Sequence, residues 1–246
     1  MLVVRLFLLA LSVLLLSTTA GTAESRFCAS PTVVTIDIGH TPGRGGATSA
    51  RGVSEYSFNK RLARFLVRRL SATPGLKPRL LNPAGKNISL RQRAKEIRRL
   101  KTGVFLSIHH DSAQLRYFSK WTHKGKRRRY SDVFSGHSLF VSSRSPQYRQ
   151  SVRLGKSIGR ALLSTGMRPT LHHAEPIKGE NRPLISKTLG LYDFAGLAVL
   201  HSTNVPAVLL EAGMIVNRAD EKKLGTDAFR ERFSNAVIEG IRRFCR

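Results

Sequence analysis

Apolar positions along the chain change their period several times, and each change marks an element. Thr32 to Ile38 is a continuous, β-branched run bounded by Pro31 and Gly39, the pattern of a strand buried on both faces of a largely parallel sheet. His40 sits just past its end. After a Gly/Pro-rich loop, Ser54 is placed to cap a helix in which Phe58, Leu62, Phe65, Leu66 and Leu70 form one apolar stripe and Lys60, Arg61, Arg64 and Arg68 stay wet. Glu55 falls in its first turn. Lys77 to Leu81 is a weaker strand, followed by a helix that Ser89 can cap, with Leu90, Ala94 and Ile97 inward. Gly103 to Ile108 is another apolar strand, ending in His109-His110-Asp111.

The segment from about Gln114 to Gly136 breaks the pattern with Lys120, Lys124, Lys126 and Arg127 to Arg129 and few apolar anchors, and reads as a basic loop or insertion. Ser138 to Ser142 predicts the next strand and Gln150 to Ser164 a helix using Val152, Ile158, Ala161 and Leu162. Met167 to Leu189 is polar and rich in turn residues, hence loop. Leu197 to Leu200 suggests a short strand, and Val205 to Leu210 a strong one that delivers Glu211. In the last helix Phe229, Phe233, Ala236, Val237, Gly240, Ile241 and Phe244 recur at helical spacing. Strand alternating with helix predicts a single α/β domain, with a mostly parallel twisted sheet and helices on both faces. It spans residues 31–245.

The first residues change the picture of where the chain works. Met1 to Arg5 carry one positive charge, Leu6 to Leu16 are almost unbroken apolar residues, and Gly21-Thr22-Ala23 offers a cleavage site. The run is about half the roughly 20 residues a membrane span needs, so residues 1–23 read as a signal peptide, with an uncleaved anchor as the alternative. The product would be periplasmic or extracellular. Net charge is +27, of which this segment supplies only Arg5. An anionic partner is expected, and export turns the choice from nucleic acid toward anionic wall or membrane-surface polymers. A generally basic, solubilising surface is the plainer explanation. The two cysteines, Cys28 and Cys245, can pair in an oxidising compartment or remain inert thiols.

Candidate chemistry gathers at strand ends. His40, His109 and Glu211 each follow a separate strand, and Glu55 opens the helix after the first, so all four are placed at the edge where ligand sites of open α/β sheets collect. Two histidines and one carboxylate would leave a coordination position open on tetrahedral Zn²⁺. Taken singly, either histidine is more readily a satisfied loop residue. His110 competes with His109, but adjacent strand residues face opposite sides.

These residues resemble the zinc-dependent N-acetylmuramoyl-L-alanine amidase family over roughly Val33 to Phe244. Val34-Thr35-Ile36-Asp37-Ile38-Gly39-His40 is similar to the family's opening strand and Asp-Pro-Gly-His motif, and Ser107-Ile108-His109 to its Ser-Ile-His. Pro206-Ala207-Val208-Leu209-Leu210-Glu211-Ala212-Gly213, with Asn217 beyond, is similar to its closing strand. The resemblance implies His40, Glu55 and His109 as zinc ligands, Glu211 as general base, and hydrolysis of the amide between N-acetylmuramic acid and L-alanine in peptidoglycan. The sequence departs from the family at Ile38 for proline, Thr41 for glycine, and His110-Asp111 for Ala-Asn. Alternatives are an exported zinc peptidase acting on free wall peptides, or a non-catalytic basic wall-binding protein. His172-His173 with Glu175, followed by Glu180-Asn181-Arg182, is a second polar group that could hold a metal or contact the peptide stem, and it is assigned no catalytic role. His123 and His137 read as surface or structural. The basic segment could dock anionic polymers or act as a flap over the site. No residue identifies a protein activator.

Overall fold

The computed structural model describes residues 27–99 and 103–246, so the expected signal peptide lies outside the described residues. Strands are β1 (Thr32–Ile38), β2 (Leu76–Leu80), β3 (Val104–Asp111), β4 (Ser119–His123), β5 (Lys126–Tyr130), β6 (Ser138–Val141), β7 (Leu184–Ser186), β8 (Leu191–Asp193) and β9 (Ala207–Met214). Helices are α1 (Glu55–Ser71), α2 (Leu90–Arg99), α3 (Tyr148–Ser164), α4 (Ala198–His201), α5 (Arg218–Leu224) and α6 (Asp227–Cys245). Seven strands form one mixed sheet in the order β2-β1-β3-β9-β6-β8-β7. The first four run parallel; β6 turns antiparallel to β9, and β8 follows β6 in parallel while β7 opposes it. The expected mostly parallel sheet is present, with an antiparallel switch between β9 and β6.

Alternation along the central strands sorts side chains between two layers. Val34, Ile36 and Ile38 of β1, Val104, Leu106 and Ile108 of β3, and Val208, Leu210 and Met214 of β9 enter one large core with α1, α3 and α6. The opposite parity supplies a smaller cluster, in which Phe105, Phe140 and Leu209 meet Ile97 of α2 and Leu200 of α4. Helices therefore cover both faces, but one much more thickly. Edge strand β2 tolerates Pro78 and exposes Lys77 and Arg79, which discourages a further strand from pairing there. Cys28 and Cys245 are joined in a disulfide across a separation of 217 residues, tying the start of the described chain to the end of α6. In the chain-entropy picture a loop of that size contributes about 5.4 kcal/mol.

Several sequence expectations are corrected. Leu197 to Leu200 is not a strand: Ala198–His201 is a single helical turn, because four apolar residues are too few to reveal a period. Leu90 does not face inward but is 60% exposed, since the buried side of α2 is set one turn later by Arg93, Ala94 and Ile97. The segment expected as loop holds β7 and a 3-10 turn at His172–Ala174. The basic segment is no loose loop either, because β4 and β5 pair as an antiparallel hairpin. Its anchor is Trp121, whose Nε1 donates to Ala50 O at 3.0 Å. Arg218 lies 3.8 Å from the Tyr130 ring centroid and grips Asp132, an arrangement in which cation–π contact and ion pair reinforce each other.

Candidate metal centre and the carboxylate beside it

His109 and Glu211 stand in register on β3 and β9. Both lie inside their strands rather than beyond them, because pairing continues past the apolar runs to Asp111 and Met214. A register irregularity follows between His109 and Asp111, a common device for re-aiming side chains at sites. Parity sends His109 to the thinly covered face and His110 to the thick one, where it packs on Phe58 of α1.

Glu55, in the first turn of α1, is the hub. Its Oε1 lies 3.0 Å from His109 Nδ1 and its Oε2 2.9 Å from His40 Nε2. Ala47 N donates to Oε2 at 3.1 Å, and Asn59 Nδ2 to Oε1 at 3.1 Å. Burial pushes the Glu55 carboxyl up, yet hydrogen bonds and charge from His109 and His40 outweigh it and hold it well below the usual range. Asn59 also receives the buried His110 through Nδ1 at 2.7 Å, so His110 braces Glu55 indirectly. Burial pushes His110 down to about 3, which keeps it neutral.

The loop after β1 is shaped around these donors. A Cβ on Gly39 would sit 2.4 Å from the His109 ring, and one on Gly46, at φ +73°, 2.3 Å from Glu55 Oε2. Neither position has room for a side chain. His40 itself adopts φ +67°, a conformation that costs a non-glycine residue about 1–3 kcal/mol. Arg93 of α2 holds it there: buried, it pairs with Asp37 and donates to Ile38 O at 2.7 Å and His40 O at 2.8 Å. Ser107 Oγ completes the Asp37 shell at 2.7 Å. Sequence reasoning missed this clamp, although an aspartate within the apolar run of β1 and an arginine beside Ala94 and Ile97 were visible.

The structure thus brings His40, Glu55 and His109 together, with one donor atom from each within 4.8 Å of the others. Two imidazole nitrogens and a carboxylate are a fitting donor set for a divalent ion of borderline softness. Glu211 is not part of this trio. Its Oε2 is buried without a hydrogen-bond partner, and burial, with the negative charges of Asp111 and Glu55, lifts its carboxyl well above the ordinary range. A cavity of about 200 Å³ opens beside it, lined also by Phe140, His173 and Glu180. A larger one, about 550 Å³, lies between the loop after β1 and the hairpin, walled by Ala47, Ser112, Lys120 and Arg127 to Arg129.

A second polar cluster adjoins the first. Asp111 Oδ2 is 2.8 Å from His173 Nε2 and 3.6 Å from His172 Nε2. Glu180 Oε2 lies 2.7 Å from His173 Nδ1, Thr170 Oγ1 3.0 Å from His172 Nδ1, and Tyr117 donates to Glu175 at 2.7 Å. Burial works against a charge on His173, but Asp111 and Glu180 prevail and raise it to about 9. Asp111 shares His109's parity in β3, the signal that could have singled it out. His137 is buried and pushed down to about 4 by desolvation, so it is structural and not superficial.

Fold and donor set define an α/β protein with a metal-competent cleft at the ends of its central strands. The sequence pattern of the N-acetylmuramoyl-L-alanine amidase family matches residues 34–243, and the chain belongs to that family of amide hydrolases. It is 26% identical over 232 residues to a Haemophilus influenzae protein named a probable N-acetylmuramoyl-L-alanine amidase, AmiB, covering 87% of this chain and 52% of that one. The chain therefore spans about half the length of that relative. With the Escherichia coli N-acetylmuramoyl-L-alanine amidase AmiA the identity is 26%, over 85% of this chain and 74% of the other. Among solved structures it is similar to the catalytic domain of CwlV, an N-acetylmuramoyl-L-alanine amidase from Bacillus (Paenibacillus) polymyxa. That match has 25% identity and a TM-score of 0.63, covering 87% of this chain and 97% of that one.

Proposed function

We propose that the chain is an exported zinc amidase that hydrolyses the amide between the lactyl group of N-acetylmuramic acid and L-alanine in peptidoglycan. The observation that carries this reading is the meeting of His40, Glu55 and His109 around one point, with the unpartnered carboxyl of Glu211 in register with His109. His40, Glu55 and His109 hold the Zn²⁺. When bound, the ion supplies Lewis acidity toward a carbonyl oxygen and lowers the pKa of water. Glu211 accepts a proton from the attacking water and returns it to the departing L-alanine amine, a task suited to a buried carboxyl whose pKa is raised by desolvation and by the charges of Asp111 and Glu55. Arg93, through Asp37 and the carbonyls of Ile38 and His40, keeps the first ligand's backbone in place. The Lys120 and Arg127 to Arg129 wall of the larger cavity attracts the acidic stem peptide and, beyond it, anionic wall or membrane-surface polymers. A disulfide between Cys28 and Cys245 suits an oxidising, extracytoplasmic setting.

The test is mass spectrometry of purified peptidoglycan incubated with the protein and zinc. Stem peptides beginning with free L-alanine, together with glycan strands bearing unsubstituted lactyl groups, are expected, and chelation should stop their release. Cleavage confined to bonds within the stem peptide would overturn the assignment in favour of a peptidase. Sedimentation with walls and no product would leave only a binding protein.

A further inference from the structure

We propose that Asp111, His172 and His173 form a second metal site, taking a borderline divalent cation such as Zn²⁺ and distinct from His40, Glu55 and His109. One donor atom from each of Asp111, His172 and His173 falls within 4.8 Å of the others, the same closeness shown by the first trio, and Asp111 Oδ2 lies 3.6 Å from His172 Nε2 and 2.8 Å from His173 Nε2.

The outer partners are those of a metal site. Each imidazole turns Nε2 toward Asp111 and has its other nitrogen fixed by an oxygen, Thr170 Oγ1 for His172 and Glu180 Oε2 for His173. Fixing the distal nitrogen in this way sets the tautomer and orientation of a ligating histidine. Gln114 Nε2 in turn holds Glu180 at 2.6 Å. Both rings are wedged against aromatics, His172 stacked on Phe134 with centroids 4.9 Å apart and His173 edge-on to Phe140 at 4.9 Å.

What the protein alone leaves unexplained is His172 Nε2. It is buried and has no hydrogen-bond partner, with the nearest carboxylate oxygen 3.6 Å away. An unsatisfied nitrogen in a fully covered ring costs about 1–3 kcal/mol, and a cation shared with Asp111 and His173 would remove that cost. The charge around it points the same way. Asp111, Glu175, Glu180 and Glu211 gather here in a chain with 42 basic and 15 acidic residues. The ion partners of Asp111 and Glu180 are nevertheless imidazoles, and Oε2 of both Glu175 and Glu211 is buried and unpartnered. Two nitrogen donors and one carboxylate favour zinc over the hard cations, which prefer all-oxygen sets.

The full chain, stripped by a chelator and dialysed against buffered free zinc, should take up two equivalents. Asp111→Asn and His172→Gln should each take up one, and His109→Gln should also retain one. Cobalt(II) substitution should give two sets of visible d–d bands, one of which disappears in Asp111→Asn. Asp111→Asn is nearly isosteric, so it decides the matter should His172→Gln fail to fold. Saturation of the unaltered chain at one equivalent, lost in His109→Gln but kept in Asp111→Asn, would overturn the second site and leave an ion-pair network only. One equivalent lost in Asp111→Asn but kept in His109→Gln would support the second site and instead remove the zinc role proposed for the first trio.

Discussion

The two faces of the central sheet divide the molecule's tasks. On the thick side, alternate residues of β1, β3 and β9 are aliphatic and fully covered by α1, α3 and α6. On the thin side the same strands present Asp37, Ser107, His109, Asp111 and Glu211, and only a small apolar cluster underlies α2 and α4. Each residue pair along a strand thus contributes once to the core and once to the cleft. The difference teaches that stability and chemistry are separable here by parity: a substitution's position modulo two tells which property should respond. Functional faces commonly retain groups that a stability optimum would discard, and on this face Glu211 Oε2 is buried without a hydrogen-bond partner.

Glu211→Gln is expected to show the largest effect. Turnover on peptidoglycan should fall by about 10²–10⁴-fold, the usual contribution of a positioned acid or base, while zinc content and Tm do not decrease. Amidase assays alongside metal analysis and thermal unfolding check this; a variant that keeps its activity would remove Glu211 from the reaction. Arg93→Met tests whether the division is strict, because this residue belongs to the thin side yet ties structure to site. Leaving Asp37 buried and unpaired should cost about 3–5 kcal/mol. Releasing the His40 backbone should also weaken zinc binding, so denaturant unfolding and zinc titration should both move. A change in stability alone would deny Arg93 any positioning role.

Leu106→Ala is the complementary probe on the thick side. Removing a fully buried leucine between β1 and β9 should destabilise the fold by about 2–5 kcal/mol through lost burial and a residual cavity. Stoichiometric zinc and kcat, measured well below the lowered Tm, should be retained. Loss of zinc from this otherwise folded variant would show that the two faces are coupled through the sheet.

How far the sequence disclosed this arrangement follows from the same parity. Strands β1, β3 and β9 were legible because burial on both sides makes them continuous apolar runs, and α1 and α6 because their stripes are long enough to show a helical period. The meeting of His40, Glu55 and His109, with Glu211 in register with His109, could be anticipated from strand ends together with the start of α1. Strands β7 and β8 could not, since three residues carry no period and their pairing is decided by distant partners. The hairpin was hidden for another reason: β5 reads Lys-Arg-Arg-Arg-Tyr, and both of its faces are charged. The tie between Asp111 and His172-His173 spans some 60 residues, across the hairpin, β6 and α3, so only the fold could reveal it. His172 and His173 were conspicuous in composition; their partner was not.

The hairpin provides the smallest and most conditional effect, because it lies outside the division between faces. Arg127 and Arg129 are exposed on β5 and border the larger cavity. Exposed charges contribute roughly 0.2–1 kcal/mol each, so Arg127→Gln with Arg129→Gln should weaken association with purified cell walls by about two- to thirtyfold at low ionic strength. The deficit should vanish toward 0.5 M salt, where screening shortens to about 4 Å. Tm and zinc content should stay unchanged, since Trp121, Tyr130 and Arg218 supply the hairpin's anchorage. Co-sedimentation across a salt series provides the measurement. A deficit that persists at high salt would mean that the arginines make specific contacts, and the hairpin would then be part of the substrate cleft rather than a long-range attractor.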